Sequence, residues 1–250
     1  MIKILAIGNS FSEDAFAYLH RLAASGGIDA ETVNLYIGGC PLELHASNAA
    51  DDAAAYDEQI NGQSTGRAVS IREALCAEDW DIVTLQQASH FSGLWDTYQP
   101  YLGQLSAYIR RFAPSARQMI HETWAYEADS DHGGFAAYDR DQRRMYELLR
   151  SAYHRAAEAI DAPVIPVGDA IEALRRLPGF DYWHGGRSLC RDGYHLELCY
   201  GRYAAAAVWY ETVLGGDIRQ NPFVPDGGEG DSDPALLEQI KQTVHAVCQG

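Results

Sequence analysis

Short apolar runs alternate along this chain with longer stretches of helical spacing, and that alternation limits the available folds more than any other feature. Runs of strand length lie at residues 2–7 (IKILAI), 32–39 (TVNLYIGG), 81–87 (DIVTLQQ), 116–124 (ARQMIHETW) and 162–167 (APVIPV). Helical patterns fall at 15–27, 68–80, 101–114 and 136–160, and a closing helix at 200–215. The strand runs are nearly continuous in apolar residues, as strands covered on both faces are. The expectation is therefore an α/β fold, a three-layer α/β/α sandwich around a five-stranded, mostly parallel sheet. Residues 1–216 read as one domain and 217–250 as a C-terminal extension with a short helix near 235–247. Between them, residues 226–234 (DGGEGDSDP) read as a flexible connector.

Composition narrows the function. A chain of 250 residues buries roughly 70–75% of its unfolded surface, enough for a full core. The net charge of −16 argues against nucleic acid and anionic membrane surfaces, which repel such a protein. No apolar run approaches the ~18 residues that span a bilayer. The opening MIKILAIGNS reads as a first strand, since its apolar run is too short for a signal peptide. Five cysteines, odd in number and without C-x-x-C, read as reduced thiols in a cytoplasmic protein.

Open parallel sheets bind ligands beyond the carboxyl ends of their strands. Those ends carry GNSFS (8–12), GGC (38–40), QQASH (86–90) and HETWAY (121–126). Ser10 admits two readings. Ser10 to Glu13 spell S-x-x-E, the pattern of a helix-capping box. A serine on a tight strand-to-helix turn is also where a nucleophile sits, with its own amide facing a developing oxyanion. The G-x-S-x-G elbow is absent, because Ser12 stands at the second glycine position. A serine nucleophile needs a base and an orienting group. Asp192 and His195, three apart in CRDGYHLE (190–197), have the spacing for a carboxylate to hold an imidazole from the same turn.

Strand-end serine, Gly-Gly after the next strand, an amide side chain after the third and D-x-x-H before the last long helix follow in this order. Together they resemble the SGNH (GDSL-like) hydrolases over residues 3–215, and in particular a mostly bacterial subgroup with IGNSFS, LQQ and TWAY stretches. The resemblance implies the flavodoxin-like SGNH fold and a serine esterase acting through an acyl-enzyme. Ser10, which follows the G-N pair, is then the nucleophile, with His195 and Asp192 as its partners. Ser12 and Glu13 are left to start the helix. Asn9 stands where the family more often has Asp. The resemblance also implies an oxyanion hole from the Ser10 amide, the Gly39 (or Gly38) amide and an amide side chain. The family's G-x-N-D is replaced by LQQASH, closer to a carbohydrate-esterase arrangement, so Gln87 is the chosen donor, with Gln86 and His90 as rivals.

HETWAY and the aromatic loops suggest a pocket for a sugar ester, with His90, Trp124 and Tyr126 against the substrate; the other reading places these rings at the core edge. Trp95, Tyr98 and Trp183 are rim candidates. Position 125 is Ala, so H-E-x-x-H is absent and no metal site is predicted; no cofactor is implied. The implied partner is a small-molecule ester, acetyl-like and carried on a carbohydrate, and a homo-oligomer is left open. Two rival readings use the same residues: a non-catalytic glycan-binding module, and an acyltransferase.

Overall fold

The computed structural model of the protein describes residues 1–227 and 232–250; residues 228–231 of the expected connector lie outside the described residues. Four apolar runs become the parallel strands β1 (Ile2–Gly8), β2 (Ala30–Tyr36), β5 (Ile82–Leu85) and β6 (Arg117–Glu122), and β7 (Val164–Pro166) is the fifth. The sheet has seven strands, not five, in the order β4-β3-β2-β1-β5-β6-β7. The two additions, β3 (Tyr56–Ile60) and β4 (Gln63–Val69), form an antiparallel hairpin on the free edge of β2. Their sequences, YDEQI and QSTGRAV, are polar and leave β4 largely exposed, so no apolar run marks them. A mark does exist. Asn61-Gly62 joins them, with φ of 52° and 78°, the left-handed pair a two-residue hairpin turn demands.

The helices fall into two groups, each packed within itself. One holds α1 (Ser10–Phe16), α2 (Leu19–Ser25), α7 (Val167–Leu174), α8 (Tyr200–Thr212) and α9 (Pro234–Gln249). The other holds α3 (Leu42–Asp51), α4 (Ile71–Ala77), α5 (Tyr101–Phe112) and α6 (Gln142–Ile160). α3 and α7 are additions to the sequence expectation. The helix read at 15–27 is two helices broken at Ala17–Tyr18, and α6 begins at Gln142, capped by Asp141, rather than at 136. The Ala-rich α8 is buried almost all round, which fits its lack of a polar face. α9 lies across α7 and α8 through Leu237, Ile240 and Val244. Among the described residues no helix is long and apolar enough to cross a membrane.

Strand register decides where the site forms. Gly8 pairs with Tyr36, Ile7 with Leu85, and Leu85 with Ile120. Strands β1, β2, β5 and β6 therefore end on one rim, which gathers four polar loops far apart in sequence.

Candidate active site

Each residue of the loop after β1 has a separate local reason. A Cβ on Gly8 would lie 2.0 Å from Ser12 Oγ, so only glycine lets Ser12 fold back over the strand end. Asn9 is extended and caps α1, its Oδ1 accepting from the Phe11 amide at 3.0 Å. Ser12 closes the box: its Oγ accepts from the Asn9 amide at 3.0 Å. Its one proton is shared between Asn9 O (2.8 Å) and Asn34 Oδ1 (2.7 Å). The cap is thus Asn9 with Ser12, neither Ser10 with Glu13 nor Ser12 with Glu13. Ser10 is the first helical residue and its hydroxyl takes no part in capping. Its amide has no intrahelical acceptor at that position.

The second component is the turn before α8. Arg191 N donates to His195 O at 2.9 Å and Cys190 bridges to Leu196, which folds residues 190–196 into a tight loop. Asp192 Oδ1 accepts from the amides of Tyr194 (3.2 Å) and His195 (2.7 Å). Asp192 Oδ2 lies 2.7 Å from His195 Nδ1, and His195 Nε2 lies 2.9 Å from Ser10 Oγ. A nitrogen facing a carboxylate carries the ring proton, so Nε2 presents its lone pair to the serine hydroxyl. Partial burial pushes the Asp192 carboxyl up. The hydrogen bonds from the His195 ring and the two amides outweigh that and hold it below the usual carboxylate range. Trp124 Nε1 donates to Tyr194 O at 2.7 Å, and the Glu127 amide to Gly193 O at 2.7 Å. Phe11 stacks on Trp124 with ring centroids 4.3 Å apart and lies beside His195.

A third set of contacts joins the four loops. His121 Nδ1 donates to Gln86 Oε1 at 2.6 Å. Gln86 Nε2 donates to Asn9 Oδ1 at 2.8 Å, and Asn9 Nδ2 to the Cys40 carbonyl at 3.2 Å. The direction is set by Asn9 Oδ1, which already receives two donors, leaving its NH₂ for Cys40. Burial pushes His121 down to about 3, so its ring is neutral and this relay is fixed. Gln86 therefore orients Asn9 and does not face the cleft.

The amide expected to meet the oxyanion is not brought to Ser10. Gln87 is fully buried; its Oε1 accepts from the Leu42 and Ala88 amides, and its Nε2 donates to Thr97 O at 3.0 Å and to Thr97 Oγ1 at 3.1 Å. Every polar atom of that side chain is committed to holding the β5 loop. Trp124 and Tyr126 are also fully buried rather than exposed to a substrate. The first supports the His195 turn, and the second pairs its hydroxyl with Ser89 Oγ at 2.8 Å. His90 does line the cleft. Trp183 is exposed, and Tyr98 is buried.

The cleft over Ser10 has a volume of about 500 Å³ and is walled by Gly38, Gly39, Ser89, His90, His132 and Tyr194. No described group accepts from the Gly39 amide. His132 carries no sequence mark, since it lies in an unpatterned loop. Its Nδ1 accepts from the Gly134 amide at 3.0 Å, and burial, then the neighbouring His195, push it down. It is therefore neutral, with its proton on Nε2. Two carboxylate–histidine groups lie elsewhere: Glu122, Asp169 and His154, and Glu211, Asp217 and His245. In the first, Asp169 is already paired with Arg150 at 3.0 Å; in the second, His245 and Arg219 hold the carboxylates.

The family described as a domain of unknown function, DUF4886, matches residues 3–235. The chain belongs to this family. A DUF4886 protein from Bacteroides uniformis has a crystal structure that is 38% identical and superposes with a TM-score of 0.91, over 99% of this chain and 95% of that one. More distant structures share the fold. A candidate SGNH hydrolase from Slackia heliotrinireducens is 22% identical, with a TM-score of 0.59 over 84% of this chain and 98% of its own. A catalytic mutant of an acetylxylan esterase from Geobacillus stearothermophilus is 13% identical, with a TM-score of 0.53 over 84% and 93%. No curated protein matches the sequence. The DUF4886 fold here is thus that of the SGNH-type hydrolases, with a seven-stranded sheet.

Proposed function

We propose that this DUF4886 protein is a serine esterase that removes a short acyl group from an alcohol, through a Ser10–His195–Asp192 triad. The observation that carries the reading is the unbroken chain from Ser10 Oγ to His195 Nε2 (2.9 Å) and from His195 Nδ1 to Asp192 (2.7 Å), at the floor of an open cleft. His195 takes the proton as Ser10 Oγ attacks the ester carbonyl, and Asp192 stabilises the imidazolium. The Ser10 and Gly39 amides, neither engaged by another described residue, are the donors for the tetrahedral oxyanion. His195 then protonates the departing alcohol. It next draws a proton from water, which attacks the acyl-enzyme and releases the acid.

Two features support a carbohydrate ester as substrate. The cleft wall combines aromatic faces with polar donors, His90, His132 and Tyr194, a surface suited to the apolar face and hydroxyls of a sugar. One structure of the same fold is that of an acetylxylan esterase. The test is hydrolysis of an aryl acetate, and labelling by a fluorophosphonate. Ser10→Ala is expected to lower kcat by about 10⁴-fold or more and to abolish labelling while the chain stays folded. Retention of either overturns the assignment.

A further inference from the structure

Asp14 takes no part in the chemistry above, yet its surroundings single it out. It lies one helical turn after Ser10 on α1, on the same side of the helix, and it is completely buried. Its two oxygens accept four hydrogen bonds. Arg191 Nη1 reaches both at 3.0 Å, Arg202 Nε donates to Oδ1 at 2.8 Å, and the Leu196 amide donates to Oδ2 at 2.8 Å. Arg191 also donates to the Leu196 carbonyl. Leu196 directly follows His195, and Arg191 directly precedes Asp192. The carboxylate thus grips the residues on both sides of the Asp192–His195 pair and touches neither member of it.

The buried ion group costs desolvation that an apolar filling would avoid. Its geometry supplies something an apolar filling would not. The His195 turn comes from a different part of the chain than Ser10, and nothing in its own hydrogen bonds sets its distance from α1. Apart from the Ser10–His195 contact itself, Asp14 bonds the serine's helix directly to that turn. Trp124 and Glu127 hold the opposite side, at Tyr194 and Gly193. A displacement of about 1 Å between reacting groups costs about 100-fold in rate.

We infer that Asp14 is a positioning residue for the proposed esterase site, setting His195 Nε2 against Ser10 Oγ by tying helix α1 to both ends of the Asp192–His195 turn. The inference rests on the esterase reading, and it predicts an effect on the chemical step rather than on substrate binding. Asp14→Asn keeps the size of the side chain but replaces one oxygen by an NH₂ that faces the two guanidinium groups.

Steady-state hydrolysis of an aryl acetate by the full chain tests this, with Glu211→Gln as a control. Glu211 sits at the far end of α8, where it holds His245 and the Ile218 amide. The control is expected to lower the melting temperature and leave kcat unchanged. Asp14→Asn is expected to lower kcat by about 100-fold, with KM within about twofold of the parent, and to slow fluorophosphonate labelling of Ser10 in parallel. Should that variant not fold, Arg202→Gln removes one of the two cations and is expected to lower kcat about tenfold with the same split. An unchanged kcat in whichever variant folds overturns the positioning role while leaving the esterase intact. A parent chain that neither turns over nor labels overturns the esterase reading, and the positioning role with it.

Discussion

Asn9 explains more of this site than its place in a helix cap would suggest. An aspartate there would still accept from the Phe11 amide and from Gln86. It could not donate to the Cys40 carbonyl, and would set a carboxylate oxygen about 3.2 Å from it. Asn9→Asp is therefore expected to keep the helix start but loosen the Gly38–Gly39 turn. The buried carbonyl left unpaired costs about 1–3 kcal/mol, read as a lower denaturant midpoint, and kcat is expected to fall about tenfold if Gly39 supplies an oxyanion donor. Asn9→Ala loses the cap as well and should cost about 1 kcal/mol more. An Asn9→Asp variant as stable and active as the parent would show that the Cys40 link is idle. Gln86 and His121 belong to the same relay, which is why Gln86, the rival donor for the oxyanion, is turned toward Asn9 instead.

The hairpin β3–β4 is the element that sequence periodicity passes over, and it reaches the site. Gln59 on β3 donates to Glu13 Oε1 at 2.8 Å and accepts from Asn34 Nδ2 at 2.9 Å. Asn34 in turn holds Ser12. The edge hairpin thus buttresses the start of α1. At Gly62 a Cβ would make only ordinary contact, 3.7 Å from the nearest atoms, so the cost of a side chain there is the positive φ alone. Gly62→Ala is expected to lower stability by about 1 kcal/mol, measured by urea unfolding, with little change in kcat. A loss well above that would mean the turn transmits strain through Gln59 to α1.

The whole molecule carries an acid sensitivity from its buried titrating groups. Burial pushes His45 and His121 down to about 3, against about 6.5 in an unfolded chain. Between those values the unfolded state binds more protons, so stability falls as pH drops, by about 1 kcal/mol per pH unit for each histidine. Glu122 acts the other way. Burial, then its neighbour Asp169, raise it well above its ordinary value, so it offsets part of that loss above pH ~4.3. The net expectation is a loss of stability as pH falls from ~6 to ~4.5. A urea midpoint that stays flat over that range would contradict it. Asp192 adds to the loss only at lower pH, where the turn's carboxylate takes up its proton.

The alternation of apolar runs was enough to determine a parallel α/β sheet, because strands buried on both faces must be apolar throughout. The same reading nominated candidate groups at the strand ends. Ser10, Asp192 and His195 were legible because each sits in a short motif whose local geometry is set by its immediate neighbours. Gln87, Trp124 and Tyr126 were not, because the direction of a side chain from a strand-end loop depends on partners distant in sequence. For Gln87 these are the amides of Leu42 and Ala88 and the Thr97 oxygens; for Trp124, the carbonyl of Tyr194. His132 and Asp14 were silent for the same reason. Each reaches the site only when folding brings an unmarked residue against a motif more than 50 positions away. Motif identity is local information, whereas the choice of which donor faces the cleft is made by tertiary hydrogen bonds that a buried polar group must find.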